Sequence, residues 1–176
     1  MITPKPVEGD YHPNSGYYID GVPEGDLVQM LQEQKQEVLD IYGPLGEERS
    51  LYRYGEGKWS LKELLGHLMD TERIAAYRLM CIARGDRTPL PRHPELFVNG
   101  TQFDRRPFAE LLEEYRIVRE ATVALVRGLT QEELSRAGTV NEVRNTAAAT
   151  AYFILGHTLH HLNVVRERYL PSLALL

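Results

Sequence analysis

Residues 60–83 read SLKELLGHLMDTERIAAYRLMCIA, and the fold turns on whether this stretch is one helix. It opens with a capping box: the Ser60 hydroxyl can accept from the Glu63 N–H while the Glu63 carboxylate reaches back. Leu61, Leu64, Leu65, Leu68, Ile74, Ala75, Leu79 and Ile82 then recur at helical spacing. Gly85, Asp86 and the prolines at 89, 91 and 94 stop the pattern. The stretch predicts a long helix with one apolar face.

Three other stretches carry the same period. Between Asp26 and Tyr42 the apolar face is Leu27, Met30, Leu31, Val38, Leu39 and Tyr42, closed by Gly43 and Pro44. Pro107 suits the first turn of a third helix lined by Leu111, Leu112, Tyr115, Val118, Thr122, Leu125 and Val126, with Gly128 closing it. TQEEL at 130–134 reads as one extra turn with Thr130 and Glu133 as its box. A last helix, 145–169, is apolar through AAATAYFILGH and ends at Pro171. Four such helices without a convincing strand predict an all-α four-helix bundle. The reading is one domain over 1–176, with 1–22 an irregular lead-in and 23–170 the helical bundle. Tyr11, Tyr17 and Tyr18 suggest that the lead-in lies against the bundle. The rival is a mixed fold with a hairpin from 50–59 and 137–145. The loop at 85–106 is long enough to be functional.

Composition narrows the function. The chain has 176 residues, 43% hydrophobic and 26% charged, an ordinary globular mix. A formal net charge of −5 offers no basic stripe for a nucleic-acid backbone. The N-terminal residues hold no apolar run of signal or membrane-span length. The single cysteine, Cys81, can form no intrachain disulfide and fits a reducing compartment. The expectation is a cytoplasmic protein, with no membrane and no nucleic-acid partner.

The histidines carry the chemistry. GHTLHHL at 156–162 holds three of the six. His157 and His161 lie one turn apart on one helix face, the spacing with which a helix offers two imidazoles to one metal. The apolar YFIL before them turns this face inward, and buried imidazoles without partners are costly. LLGH at 64–67 echoes ILGH at 154–157 and supplies His67. In both places a glycine before the histidine would let a neighbouring helix come close. His67, His157 and His161 would leave at least one coordination position open, as catalytic sites do. Imidazole ligands suit Zn, Ni, Fe or Co without choosing among them; the expectation taken forward is Zn or Ni, with Fe, Co and Mn as further candidates. His12 and His93, beside prolines, read as turn residues.

YRYGEGKWSLKELLGHLMDTERIAAYRLM resembles the second-helix signature of the DinB-like superfamily, and GHTLHHL its last-helix signature. The resemblance covers about residues 25–170. It implies a four-helix bundle with up-down-down-up arrangement, often a homodimer, and a metal triad at His67, His157 and His161. Bacillithiol S-transferases, also described as metal-dependent hydrolases, are the members most similar in look. They imply a low-molecular-weight thiol attacking an electrophile at the metal. The loop sequence PRHPELFVNGTQF departs from them: it offers Glu95 and Phe97 but no tryptophan.

In this enzyme reading His160 would shuttle a proton or simply hydrogen-bond, and Asp70, one turn past His67, would orient an imidazole. Arg73 and Arg78 would hold a carboxylate of the thiol cofactor. Cys81 reads as a small core residue and Trp59 as an anchor at the start of the second helix. A metal-dependent hydrolase, a non-catalytic metal-binding stress-response protein and a plain dimerising bundle are the alternatives.

Overall fold

The computed structural model describes residues 2–89 and 97–174, without the side chains of residues 97 and 99. His93 and Glu95 therefore lie outside the described residues, as does the Phe97 side chain. Four long helices form the frame: α2 (Leu27–Tyr42), α4 (Leu61–Ala83), α6 (Phe108–Arg127) and α8 (Ala147–Val164). Shorter pieces join them: α1 (Pro13–Asp20), α3 (Gly46–Ser50), α5 (Phe97–Gly100), α7 (Gln131–Ser135) and α9 (Leu170–Leu173).

The predicted caps are present. Ser60 and Glu63 form a complete capping box at α4, and Thr130 and Glu133 do so at α7. The Asp26 carboxylate accepts the Val28 and Gln29 N–H groups at the start of α2.

Helix directions follow from what packs on what. The first half of α4, Leu61 to Met69, shares a core with Phe108, Leu111 and Tyr115 at the start of α6, and with Leu162 at the end of α8. Its second half packs with Val123 and Val126 late in α6 and with Ala147 to Leu155 early in α8. So α4 runs parallel to α6 and antiparallel to α8. Leu27 and Leu31 of α2 join the second of these cores and Val38 and Tyr42 the first, so α2 runs with α8. The order is up-down-down-up. The neighbours are α2–α6, α6–α4, α4–α8 and α8–α2, and the consecutive helices α2 and α4 lie diagonally.

A buried ion pair sits between the two cores. Arg119 of α6, fully buried, donates from Nε to both carboxylate oxygens of buried Glu72 on α4, at 2.8 and 3.0 Å. Its other nitrogens reach Gln34 Oε1 on α2 at 2.9 Å and Thr158 Oγ1 on α8 at 3.0 Å. The Gln34 amide donates in turn to the Leu155 carbonyl at 2.9 Å. One guanidinium thus ties all four long helices, with its charge paired as burial demands.

Two sequence expectations need correction, and short strands accompany the helical bundle. Residues 1–22 are not irregular: β1 (Ile2–Thr3) pairs antiparallel with β2 (Gly25–Asp26), and α1 lies on α8. That helix is short and capped by a histidine, so its own pattern is faint; tertiary packing forms it. The all-α bundle also carries a small hairpin, β3 (Ala137–Val140) with β4 (Val143–Thr146), at the second place the mixed rival put one. Asn141 and Glu142 at its turn have φ of 49° and 64°, the left-handed pair that a two-residue turn needs. Residues 50–59 form no hairpin. Pro171 does not end the last helix: the chain passes through a π-helical turn, Val165–Tyr169, into α9. Proline is tolerated there because it sits in the first turn of α9, where its missing N–H is not required.

Candidate metal centre

The facing sides of α4 and α8 bring three imidazoles together. His67 projects from α4 and His157 and His161 from successive turns of α8. His157 is buried, and the other two are half-buried. His157 Nε2 lies 3.0 Å from His67 Nε2 and 3.2 Å from His161 Nε2. The three ligand atoms all fall within 4.8 Å of one another.

Hydrogen bonding accounts for only one of the two close Nε2 contacts of His157. A neutral imidazole nitrogen has either one N–H or one lone pair, so His157 Nε2 can bond only one of its two neighbours well. A cation at the centre would accept all three lone pairs. Bonds of about 2.0–2.1 Å in tetrahedral geometry put ligand nitrogens about 3.3 Å apart, close to the two separations that His157 makes. The donor set therefore fits a divalent transition metal with a position left open. Burial first, then His67 and His160, pushes the His161 pKa down to about 3, which leaves that imidazole neutral and able to ligate.

Two glycines make this geometry possible. A Cβ on Gly156 would stand 2.0 Å from the Tyr18 carbonyl oxygen, so α1 can seat on α8 only because that Cβ is absent. On α4 the close neighbour is a ring rather than a helix: a Cβ on Gly66 would meet Phe103 at 2.4 Å. Trp59 both packs on the lower core and lies against His67, ring centroids 4.8 Å apart. The Tyr169 hydroxyl, from the π-helical turn, donates to the Trp59 carbonyl at 2.8 Å and fixes that residue.

A cavity of about 500 Å³ opens over the three histidines. The long walls are α4 and α8. Its roof is α1, which contributes Tyr18, together with the hairpin turn, which contributes Asn141. The roof pieces are joined: Thr146 N donates to the Asp10 carbonyl at 2.9 Å, and Arg144 pairs with the Asp10 carboxylate.

The other sequence candidates separate. Arg78 lines the cavity. Arg73 does not; it pairs with Asp70 at 3.4 Å and with Glu114 of α6 at 2.6 Å, so Asp70 and Arg73 belong to an ion-pair chain on the α4–α6 side. His160 is outside the triad. Its ring meets Tyr17 and Tyr18 edge-on and stands 4.9 Å from His161, centroid to centroid. Burial lowers its pKa, against the pull of Glu167. Cys81 is buried in α4. Sequence reading missed His12, which caps α1 through Nδ1 and lines the cavity. The signal was present in HPNS, a polar residue before Pro at a first helical position.

The fold and the centre define a four-helix bundle whose antiparallel neighbours α4 and α8 carry a three-histidine site. A family model for the DinB superfamily matches residues 30–165, and the chain belongs to that superfamily. Two solved structures from Bacillus subtilis share the fold. YfiT, described as a probable metal-dependent hydrolase with an unusual four-helix bundle topology, aligns over 94% of this chain and 91% of its own, with a TM-score of 0.71 and 16% identity. A DinB-like protein aligns over 80% of this chain and 86% of its own, with a TM-score of 0.59 and 18% identity. No curated protein sequence matches the chain. Among the described residues no helix is long and apolar enough to cross a membrane.

Proposed function

We propose that the protein is a metal-dependent enzyme that adds a low-molecular-weight thiol, such as bacillithiol, to an electrophile. His67, His157 and His161 would hold the metal, Zn or Ni by ligand type. A divalent metal there supplies Lewis acidity, lowering the pKa of a group that coordinates it. Trp59, Tyr18 and Phe153 line the cavity and would shield the reacting groups from bulk water. His160, half-buried beside His161, takes the role of proton carrier to solvent. The observation that carries the reading is the three convergent imidazole nitrogens under a cavity of small-molecule size. Hydrolysis at the same centre is the second reading, favoured by the description of the fold relative YfiT.

Metal analysis of untagged protein, followed by turnover with several biological thiols and monochlorobimane, tests this. The wild type should carry about one metal per chain, as one three-histidine centre implies, and conjugate at least one thiol only when loaded. His67→Ala and His157→Ala should lose both. Full metal content in both variants would overturn the ligand set. A loaded protein that conjugates no thiol but cleaves ester or amide probes would move the assignment to hydrolysis.

A further inference from the structure

The cavity has two chemically different ends. His67, Thr71, Ala75 and Arg78 follow one another along α4, and Thr150, Phe153, His157 and His161 along α8. Because these helices are antiparallel, the Arg78 end of one meets the Thr150 end of the other. The histidines and Arg78 therefore stand at opposite ends, about 16 Å of helix rise apart. Helical side chains slope toward the N-terminus, so Arg78 leans back toward the histidines and shortens the gap.

The Arg78 end is rich in polar groups. Asn141 and Asn145 come from the hairpin and His12 from the start of α1. Asn145 Nδ2 is engaged by the Thr146 carbonyl at 3.0 Å and Thr150 Oγ1 at 2.7 Å, which fixes that side chain. His12 Nδ1 accepts the Asn14 N–H at 3.2 Å, so a neutral ring carries its proton on Nε2. Between the ends the wall is Ala75, Phe153 and Tyr18. Among the described lining residues Arg78 is the one fixed charge.

We infer that the Arg78 end is a subsite for a carboxylate, with the guanidinium of Arg78 reading the charge and His12 Nε2–H giving a further donor. The substrate is then an extended small molecule: a nucleophile at one end, an apolar middle and a carboxylate at the other. The nucleophile half of that description rests on the metal reading above; the carboxylate subsite does not.

Two measurements separate these parts. Metal-free protein is titrated with hexanoate and with hexanol, following the Arg78 Nε–H and His12 ring resonances. Hexanoate should move both and hexanol neither, with the His12 response lost in Arg78→Gln and partly kept in Arg78→Lys. Equal responses to both probes, or a response that survives Arg78→Gln, would overturn the subsite. Cobalt-loaded protein is then titrated with straight-chain mercapto-acids and mercapto-alcohols of matched length, read by thiolate-to-cobalt absorption. Long acids should bind about ten-fold tighter than the matched alcohols, and short ones should not. Arg78→Gln should erase the difference. Thiolate absorption with no acid preference at any length also overturns the subsite. No absorption with any thiol, beside a positive hexanoate titration, overturns the thiol reading and leaves the carboxylate subsite standing.

Discussion

At the scale of single residues, the centre makes the metal-free protein acid-sensitive. Folded His161 titrates at about 3, whereas an unfolded histidine titrates near about 6.5. Between those values the unfolded chain binds the extra proton, so this contribution is complete above about pH 6.5 and is lost as pH falls toward 3. The slope from this one residue is up to about 1.4 kcal/mol per pH unit. Urea denaturation of metal-free protein at stepped pH checks it, and His161→Gln should flatten the curve. A profile unchanged between wild type and variant would remove His161 as the cause. Metal loading should shield the protein, because a ligand bound only by the folded state adds about 2.7 kcal/mol at a hundred times its Kd.

At the scale of elements, α1 depends on one missing methyl group. Alanine at 156 would normally favour the helix by about 1 kcal/mol. Here its Cβ would be driven into the Tyr18 carbonyl, and overpacking of that kind costs about 1–3 kcal/mol or more. Gly156→Ala should therefore lower the thermal midpoint and raise amide exchange in α1, while α6 keeps its protection. If α1 exchange is unchanged, the contact is not what seats it. The four long helices and the His157–His161 pair were legible in the sequence because each rests on local period or on i, i+4 spacing, whereas His67 was reached only through the echo of ILGH in LLGH. The roof of the cavity was not. His12 looked like a turn residue because a cap is set by one side-chain contact, and α1 shows only Ile19 as a buried residue. The hairpin turn Asn-Glu lacks the glycine that usually marks such turns.

At the scale of the whole molecule, parallel packing explains the long connection after α4. Because α4 and α6 run side by side in the same direction, the chain must travel back along the full length of α4 before α6 can begin. Just before α6, Lys62, fully buried, holds the chain by donating to the Arg106 carbonyl at 2.7 Å and pairing with Glu47. Topology thus demands a long connection at 85–106, apart from any function of that loop. The Glu72–Arg119 pair was equally invisible, since charges on amphipathic helices usually face solvent. Arg119→Met should destabilise the fold by about 3–5 kcal/mol, because Glu72 is left buried and unpaired. Adding Glu72→Leu should recover most of the loss in chemical denaturation. A double variant no better than the single one would mean that the other partners of Arg119, Gln34 and Thr158, carry the cost.

The triad also joins points far apart along the chain: His67 and His157 are separated by 90 residues. In the unfolded chain, the i, i+4 pair on α8 can meet a metal early, but recruiting His67 means closing a loop of that length. Its entropic cost grows with the logarithm of the loop, so the third ligand arrives only once the helices have docked. Metal added before refolding would then leave the folding rate nearly unchanged while slowing unfolding, the behaviour of a clasp shut after assembly rather than a nucleus for it.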